Sequence, residues 1–350
     1  MITEGREQAS FASEPIEGAG LRVSCVIPAY RAARTVVEVV QQALLYADEV
    51  IVVDDACPEG SGAAVAAAYG DDARVHVVLR SRNGGVGAAT KSGIDAALQR
   101  GADVIVKLDA DGQMDAAFIG DIRELFLENP SLAYVKGNRF FDSGALRKMP
   151  KVRFLGNAIL SLMAKWASGY WNIIDPTNGY VAFKAPVLQV LDWRSFGNSY
   201  FFELSVLCEL GLKRLPIAEL EMPTIYTSAP SSLSLTRVIF EFPPRLVRAL
   251  AKRILLQYFI FDVNLGTIYF VVGTLLALFG LIFGGFEWVQ SIITNVPRAT
   301  GTVMLAVLPF LMGFQLLLNA LMYDVQFSPR TQHELKVHRV TWPESRSRKQ

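Results

Sequence analysis

The stretch Lys107–Met114, KLDADGQM, sets Asp109 and Asp111 two residues apart directly after the apolar run VIV. Two carboxylates that close repel each other unless a cation, a proton or several N–H groups lie between them. Hard oxygen ligands at this spacing suit Mg²⁺ or Mn²⁺, which commonly take one or two carboxylates together with substrate phosphates. A cation seated there would neutralise a departing diphosphate as a Lewis acid. An acidic turn or helix cap is the competing reading of so short a motif.

Similar motifs from other machines fit poorly. A calcium loop starting at Asp109 needs Gly at its sixth position and Glu at its twelfth, where this chain has Met114 and Gly120. The strand-plus-DxDG nucleophile motif of haloacid-dehalogenase-like phosphatases continues with Thr on a first strand; here Gln113 follows and three strand-like runs come earlier. Residues 85–92, GVGAATKS, approach a phosphate loop but place Thr90 where Gly must precede the lysine.

The elements that must position these residues come next. Between residues 22 and 137, the runs RVSCVIP, EVIVVDD, RVHVVLR, DVIVKLD and LAYVKG read as buried β-branched strands. Helix-like segments lie between them at about 33–46, 60–69, 86–99 and 115–128. This alternation predicts an α/β, Rossmann-like domain with a mostly parallel sheet. Such sheets collect ligands outside the carboxyl ends of their strands. Pro28-Ala29-Tyr30, Asp54-Asp55 and Asp109-Ala110-Asp111 all fall at such ends.

After Gly137 the alternation stops. A basic segment (Arg139, Arg147, Lys148, Lys151, Arg153) precedes SGYWNIIDPTNGY and FFELSVL. Further on, Ser231 to about Asp262 predicts one or two amphipathic helices broken at Pro243-Pro244. Arg245, Arg248 and Lys252 share one helical face, with Leu246, Val247, Leu250 and Ile254 opposite. That pattern suits a helix lying in the headgroup layer, or a surface helix packed on the enzyme.

The chain is 51% hydrophobic, 19% charged and has a mean hydropathy of +0.30, high for a wholly soluble enzyme. The excess sits in 263–286 and 299–323, which carry no charged residue. Each exceeds the roughly 20 residues that cross a bilayer core as a helix. Six Lys/Arg follow Tyr323, and the loop between the spans holds only Glu287 and Arg298. The positive-inside rule then expects a multi-pass protein of the cytoplasmic (inner) membrane, with the large domain and the C-terminus in the cytoplasm. The expected organisation is a tail at 1–20, an α/β domain at 21–230, interfacial helices at 231–262, the two spans, and a basic tail at 324–350. The acidic, polar start has no apolar core of a signal peptide. A net charge of +1 gives no reason to expect a nucleic-acid partner. Cys25, Cys57 and Cys208 lack metal-ligand spacing and read as reduced thiols.

Taken in order and spacing, VIPAYRAARTV, VVDDACPEGS, RNGGVGAATKSG and KLDADGQM resemble the family-2 glycosyltransferases of the GT-A type, over roughly residues 22–230. With the C-terminal spans, the layout is similar to membrane-anchored polyprenyl-phosphate sugar synthases such as dolichyl-phosphate mannose synthase. The resemblance implies that Pro28, Ala29 and Tyr30 line a pocket for a UDP- or GDP-sugar, and that Asp54 or Asp55 accepts from the base. It implies that Gly85 lets the nucleotide approach with Lys91 nearby, and that Asp109 and Asp111 hold Mg²⁺ or Mn²⁺ with the diphosphate. Arg139 would meet an acceptor phosphate, unless it is a surface residue pairing with Asp142. Arg153, Arg245, Arg248 and Lys252 would serve the acceptor phosphate or the membrane. Relatives of this layout associate through their membrane helices, which makes a homo-oligomer a candidate state.

A sugar hydroxyl acceptor needs a general base, and Glu203 in FFELSVL stands where family members carry Glu-Asp, with Leu204 replacing the Asp. A phosphate acceptor, with a second pKa of about 6, is already an oxyanion at neutral pH. Asp175 in DPTNGY is the other catalytic candidate, or else an Asp-Pro turn. The expectation is therefore an inverting transfer from a nucleotide sugar to an undecaprenyl- or dolichyl-type phosphate. The rival readings are extension of a lipid-linked glycan with Glu203 as base, and a non-enzymatic membrane assembly partner that keeps the fold.

Overall fold

The computed structural model describes residues 20–139, 151–222 and 235–329, without the side chains of 151–155 and 235–239. Residues 1–19 and 330–350, most of the tails expected at 1–20 and 324–350, lie outside the described residues, as do Arg147, Lys148, Asp142 and the start of the interfacial region.

Four βα steps and a fifth strand come first: β1 (Val23–Ala29), α1 (Val36–Ala43), β2 (Glu49–Asp54), α2 (Ser61–Tyr69), β3 (Val75–Leu79), α3 (Val86–Gln99), β4 (Val104–Lys107), α4 (Phe118–Glu128) and β5 (Tyr134–Asn138). Helix α5 (Lys151–Ser168) follows, then β6 (Val181–Lys184), the short α6 (Ala185–Val190), α7 (Phe202–Leu212) and β7 (Ile217–Glu221). The seven strands order as β3-β2-β1-β4-β6-β5-β7. Only β6 runs antiparallel to its neighbours β4 and β5. Strands β6 and β7 were not anticipated, because VAFK and IAELE are short and stand outside the regular alternation of strands and helices that marks β1 to β5.

Alternation along the strands feeds two cores. Cys25, Ile27, Val50, Val52, Val104 and Val106 face α1 and α4. Val26, Ile51, Val53 and Ile105 face the opposite layer, which includes Ile94 of α3 and Phe202 and Val206 of α7. Burying both faces of the central strands explains their near-continuous apolar sequence.

A third cluster joins α5, α7 and α8 (Leu235–Ile254) through Leu160, Ala164, Phe201, Leu204, Phe242 and Leu246. The expected break at Pro243-Pro244 does not occur, and α8 runs through both prolines. Burial of Phe242 and Leu246 on either side of the pair offsets the lost backbone bonds. Leu246 thus faces the enzyme rather than a bilayer, so this helix is packed on the domain, while Phe240, Val247 and Arg248 point outward.

One π-helical turn, Leu255–Ile260, leads to α9 (Leu265–Thr294) and α10 (Thr300–Gln326). Their most apolar windows have mean hydropathies of 2.2 and 2.0 and are largely exposed, so both are long and apolar enough to cross a membrane. Helix α9 extends past the expected end at Phe286 to Thr294, and its Glu287 pairs with Arg298 of the connecting loop at 2.9 Å. The two helices pack antiparallel with Gly273, Gly280 and Gly313 at their contact.

Candidate active site

The strand ends are tied to one another by short bonds. At the end of β1, Ala29 is buried and Tyr30 exposed, with the Arg31 guanidinium 5.4 Å from the Tyr30 ring centre. The next residues are fixed to the β2 side, since Arg31 N–H donates to Cys57 Sγ and Ala32 N–H to Ser61 Oγ. Asp54 accepts from the N–H groups of Cys57 and Gly62, each at 2.6 Å, and so folds the turn into α2. Asp55 accepts from the N–H groups of Gly84 and Gly85 and pairs with Arg80. Gly85 has φ +89°, and a Cβ there would lie 2.8 Å from the Asn198 carbonyl, so only glycine suits this close approach.

Lys91 turns to the far side of α3. Its ammonium donates to the carbonyls of Arg194 and Phe196 and to Asn198, which locks α3 to the 194–198 loop. Burial first, and Arg80 second, hold it below the usual lysine range. With Arg80, Arg82, Asn83 and Arg194 it lines a basic cleft of about 430 Å³ that Asp109, Asp111 and Tyr30 do not line.

The acidic motif sits just past β4, its loop held by Thr35 Oγ1 donating to the Ala110 carbonyl at 2.6 Å. Lys107, only 2% exposed, donates to Asp109 Oδ1 at 2.7 Å, to Glu203 Oε1 at 3.1 Å and to the Gly179 carbonyl at 3.1 Å. Burial would push this ammonium down, but Asp109 and Glu203 beside it hold it above the usual lysine range. Gly179 permits the cluster to close, because a Cβ there would lie 2.7 Å from Asp109 Oδ2 and 2.9 Å from Lys107 Nζ. Asp111 accepts from Gln113 N–H, and its carboxyl is pushed up by burial, with Asp109 adding to the effect.

A second buried lysine stands beside the first. Lys107 of β4 and Lys136 of β5 both pair in register with Val181 of β6, so they leave the same face of the sheet. Lys136 donates to the Asn178 carbonyl at 2.5 Å, and burial lowers its pKa to about 8. One step further along, Asp175 is fully buried and holds Arg139 through Nε at 2.8 Å and Nη2 at 3.3 Å. Burial would raise the Asp175 carboxyl, yet Arg139 keeps it below the usual carboxylate range. Glu219 of β7 accepts from the N–H groups of Ile174 and Asp175, at 2.9 and 3.0 Å, and burial pushes its pKa up to about 7.

Asp109 and Glu203 are thus brought together by a residue that sequence reasoning passed over, and Asp175 with Arg139 form the adjoining pair. Lys107 and Lys136 carried one common signal, a charge inside an otherwise buried strand, while Glu219 lies on a partly buried strand without that signal. The aromatic residues near Asp175 are engaged within the protein. Tyr170 and Tyr180 are buried, with their hydroxyls on the Leu215 and Asp115 carbonyls, and Trp171 donates to Asp324. Arg245 pairs with Glu241 and lies over Phe201, Lys252 pairs with Glu209, and Arg248 is exposed. Arg153 lies on α5, its side chain outside the described ones.

Residues 24–191 match the family model described as Glycosyl transferase family 2. The matched segment, just under half of the chain, is similar to family-2 glycosyltransferases. Similar curated proteins include polyprenol monophosphomannose synthase of Mycolicibacterium smegmatis, 32% identical over 45% of this chain and 59% of that protein. The undecaprenyl-phosphate mannosyltransferase of Micrococcus luteus is 33% identical over 41% of this chain and 58% of its own length. A UDP-N-acetylglucosamine–dolichyl-phosphate N-acetylglucosaminyltransferase of Methanococcus voltae is 32% identical over 44% and 61%. The chain spans about three fifths of the length of these relatives. Glucosyl-3-phosphoglycerate synthase of Mycobacterium tuberculosis, solved with Mn²⁺, UDP-glucose and phosphoglyceric acid, superposes with a TM-score of 0.51. At 21% identity over 67% of this chain and 80% of that one, it shares the fold. The domain therefore has a GT-A-type fold, with a mostly parallel sheet and two candidate membrane helices at its C-terminal side.

The donor set of this domain fits a hard divalent cation. Among the described residues no group of three or more His, Cys, Asp or Glu side chains gathers as a closed metal cage. Two carboxylates at a strand end match an ion that completes its shell with water and phosphate oxygens. Asp111 is the carboxylate of the two that is not paired with Lys107.

Proposed function

We propose that the protein transfers one sugar from a UDP- or GDP-sugar to a polyprenyl phosphate, with inversion, at the cytoplasmic face of a membrane. An oxygen of the acceptor phosphate attacks the anomeric carbon. The bond from that carbon to the diphosphate breaks, and the nucleoside diphosphate leaves with the electron pair. Mg²⁺ or Mn²⁺ held by Asp109 and Asp111 would supply charge neutralisation at the departing diphosphate. Tyr30 and the turn held by Asp55 would frame the nucleotide.

The observation that carries the choice of acceptor is the Arg139–Asp175 pair. The guanidinium is fixed by a fully buried carboxylate while 38% of its side chain stays exposed, beside the Lys107–Glu203 cluster. A planar guanidinium oriented in this way suits bidentate contact with a phosphate. Glu203, in contrast, is buried and ion-paired to Lys107, a poor setting for a base that must collect a proton. The activities of the three relatives point to the same acceptor class. The Lys/Arg bias around the two spans supports that sidedness.

The test is a donor panel with detergent-solubilised protein, Mg²⁺ or Mn²⁺, several UDP- and GDP-sugars, and polyprenyl phosphate present or absent. Lipid mass spectrometry should find a sugar-phosphate-lipid from one donor. Product only with an oligosaccharide-bearing lipid would favour the glycan-extension reading, and no product from any donor would sink both.

A further inference from the structure

Asp324 stands near the C-terminal end of α10, where a carboxylate would ordinarily face headgroup water. Here only 14% of its side chain is exposed. It accepts from Arg253 Nη1 at 2.8 Å and Nη2 at 2.9 Å, from Tyr258 Oη at 2.6 Å and from Trp171 Nε1 at 2.9 Å. Arg253 also reaches the Trp166 carbonyl of α5, and Gln257 donates to the carbonyls of Gly211 and Leu212. One carboxylate on the second membrane helix therefore gathers donors from α8, from the π-helical turn and from the segment between α5 and β6. A second fastening lies two residue positions beyond the helix. Ser328 Oγ accepts from Trp171 N–H at 3.2 Å and donates to the Gly169 carbonyl at 2.9 Å.

What this fastens is the strap that carries Asp175. Residues 169–171 are bound to the membrane hairpin, and Ile174 and Asp175 are bound by their N–H groups to Glu219 of β7. Only Asn172 and Ile173 separate the two anchorages, and Ile173 is buried in the core. A strap pinned this closely at both ends has little freedom, so a shift at Trp171 displaces Asp175 and with it the guanidinium of Arg139.

We propose that Asp324 is a positioning residue for the acceptor side: through Trp171 it couples the membrane hairpin to the Asp175–Arg139 pair. The proposal rests on the polyprenyl-phosphate reading of the site. Asp324 touches neither reacting atom, so its loss is read in acceptor binding rather than in donor binding.

The experiment uses the full chain in detergent. Trp171→Phe removes the indole N–H and keeps an aromatic ring; Asp324→Asn keeps the shape and removes the charge. Steady-state kinetics with polyprenyl phosphate and with farnesyl phosphate give KM for each acceptor and for the nucleotide sugar. Both variants should raise the acceptor KM about fivefold or more while the donor KM stays within about twofold. The effect should persist with farnesyl phosphate, because it acts on the strap and not on depth in the bilayer. The double variant should lose no more than the worse single one, as expected for one shared contact. Unchanged acceptor KM in a folded Trp171→Phe protein, or an effect that vanishes with farnesyl phosphate, would overturn the coupling and leave Asp324 as an anchor. Failure of the wild-type protein to use any polyprenyl phosphate is a separate result, which removes the functional reading first.

Discussion

The Lys107 ammonium lies 2.7 Å from the Asp109 carboxylate, so one half of the acidic motif is charge-paired within the protein. The same ammonium reaches Glu203 at 3.1 Å, deep in the domain. Removing one partner of a buried ion pair leaves uncompensated charge and costs about 3–5 kcal/mol. Lys107→Met should therefore lower the melting temperature clearly. It should also weaken nucleotide-sugar binding by about tenfold or more, since a diphosphate would then approach two unpaired carboxylates. Calorimetry and donor KM check both; a variant that melts and binds like the wild type would make the pair idle.

Asp111 has no such lysine, and burial together with Asp109 raises its pKa. It is the carboxylate most in need of a cation. Asp111→Asn should cut kcat/KM by about 100-fold or more and raise the metal concentration for half-maximal rate, as expected when a ligand of the ion is lost. Asp109→Asn should cost less, because Lys107 stays in place. Transfer rates against Mn²⁺ concentration test the order. Full activity after chelation of all divalent cations would end the metal assignment.

Glu203 decides between acceptors. General-base catalysis typically contributes about 10²–10⁴-fold. With a phosphate acceptor no proton has to be removed, so Glu203→Gln, which can still accept from Lys107, should lower kcat by less than about tenfold. A loss in the range of 10²–10⁴ would transfer support to a hydroxyl acceptor and the glycan-extension reading. The measurement is kcat under saturating donor and acceptor.

The parallel half of the sheet was legible because β1, β2 and β4 are buried on both faces and their sequences are continuous apolar runs. The strand-end residues followed from that topology alone. What escaped was contributed by long-range pairing. β6 enters between β4 and β5 from the other direction, and only that insertion sets Lys107 and Lys136 on either side of Val181. Spacing along the chain could not bring Lys107 to Glu203, which lies 96 residues away. The wheel drawn for α8 placed Leu246 with Val247, whereas packing against α5 and α7 buries the first and exposes the second.

Glu219 gives the pH prediction. Its carboxyl is raised from the ordinary 4.5 to about 7, chiefly by burial, while it holds the N–H groups of Ile174 and Asp175. A carboxyl with a higher pKa folded than unfolded binds more protons in the folded state between those two values. Its stabilising contribution is complete below about 4.5 and is lost as pH rises through about 7. The span corresponds to about 1–3 kcal/mol, the upper figure being the full shift at 1.36 kcal/mol per pKa unit. Glu219→Gln cannot titrate, so it should be relatively least stable at pH 5 and recover against the wild type towards pH 8. Thermal melts of both proteins across that range give the difference directly. A stability gap that stays constant from pH 5 to pH 8 would mean that Glu219 titrates outside the window, and that one protonation state holds the strap to Asp175 throughout.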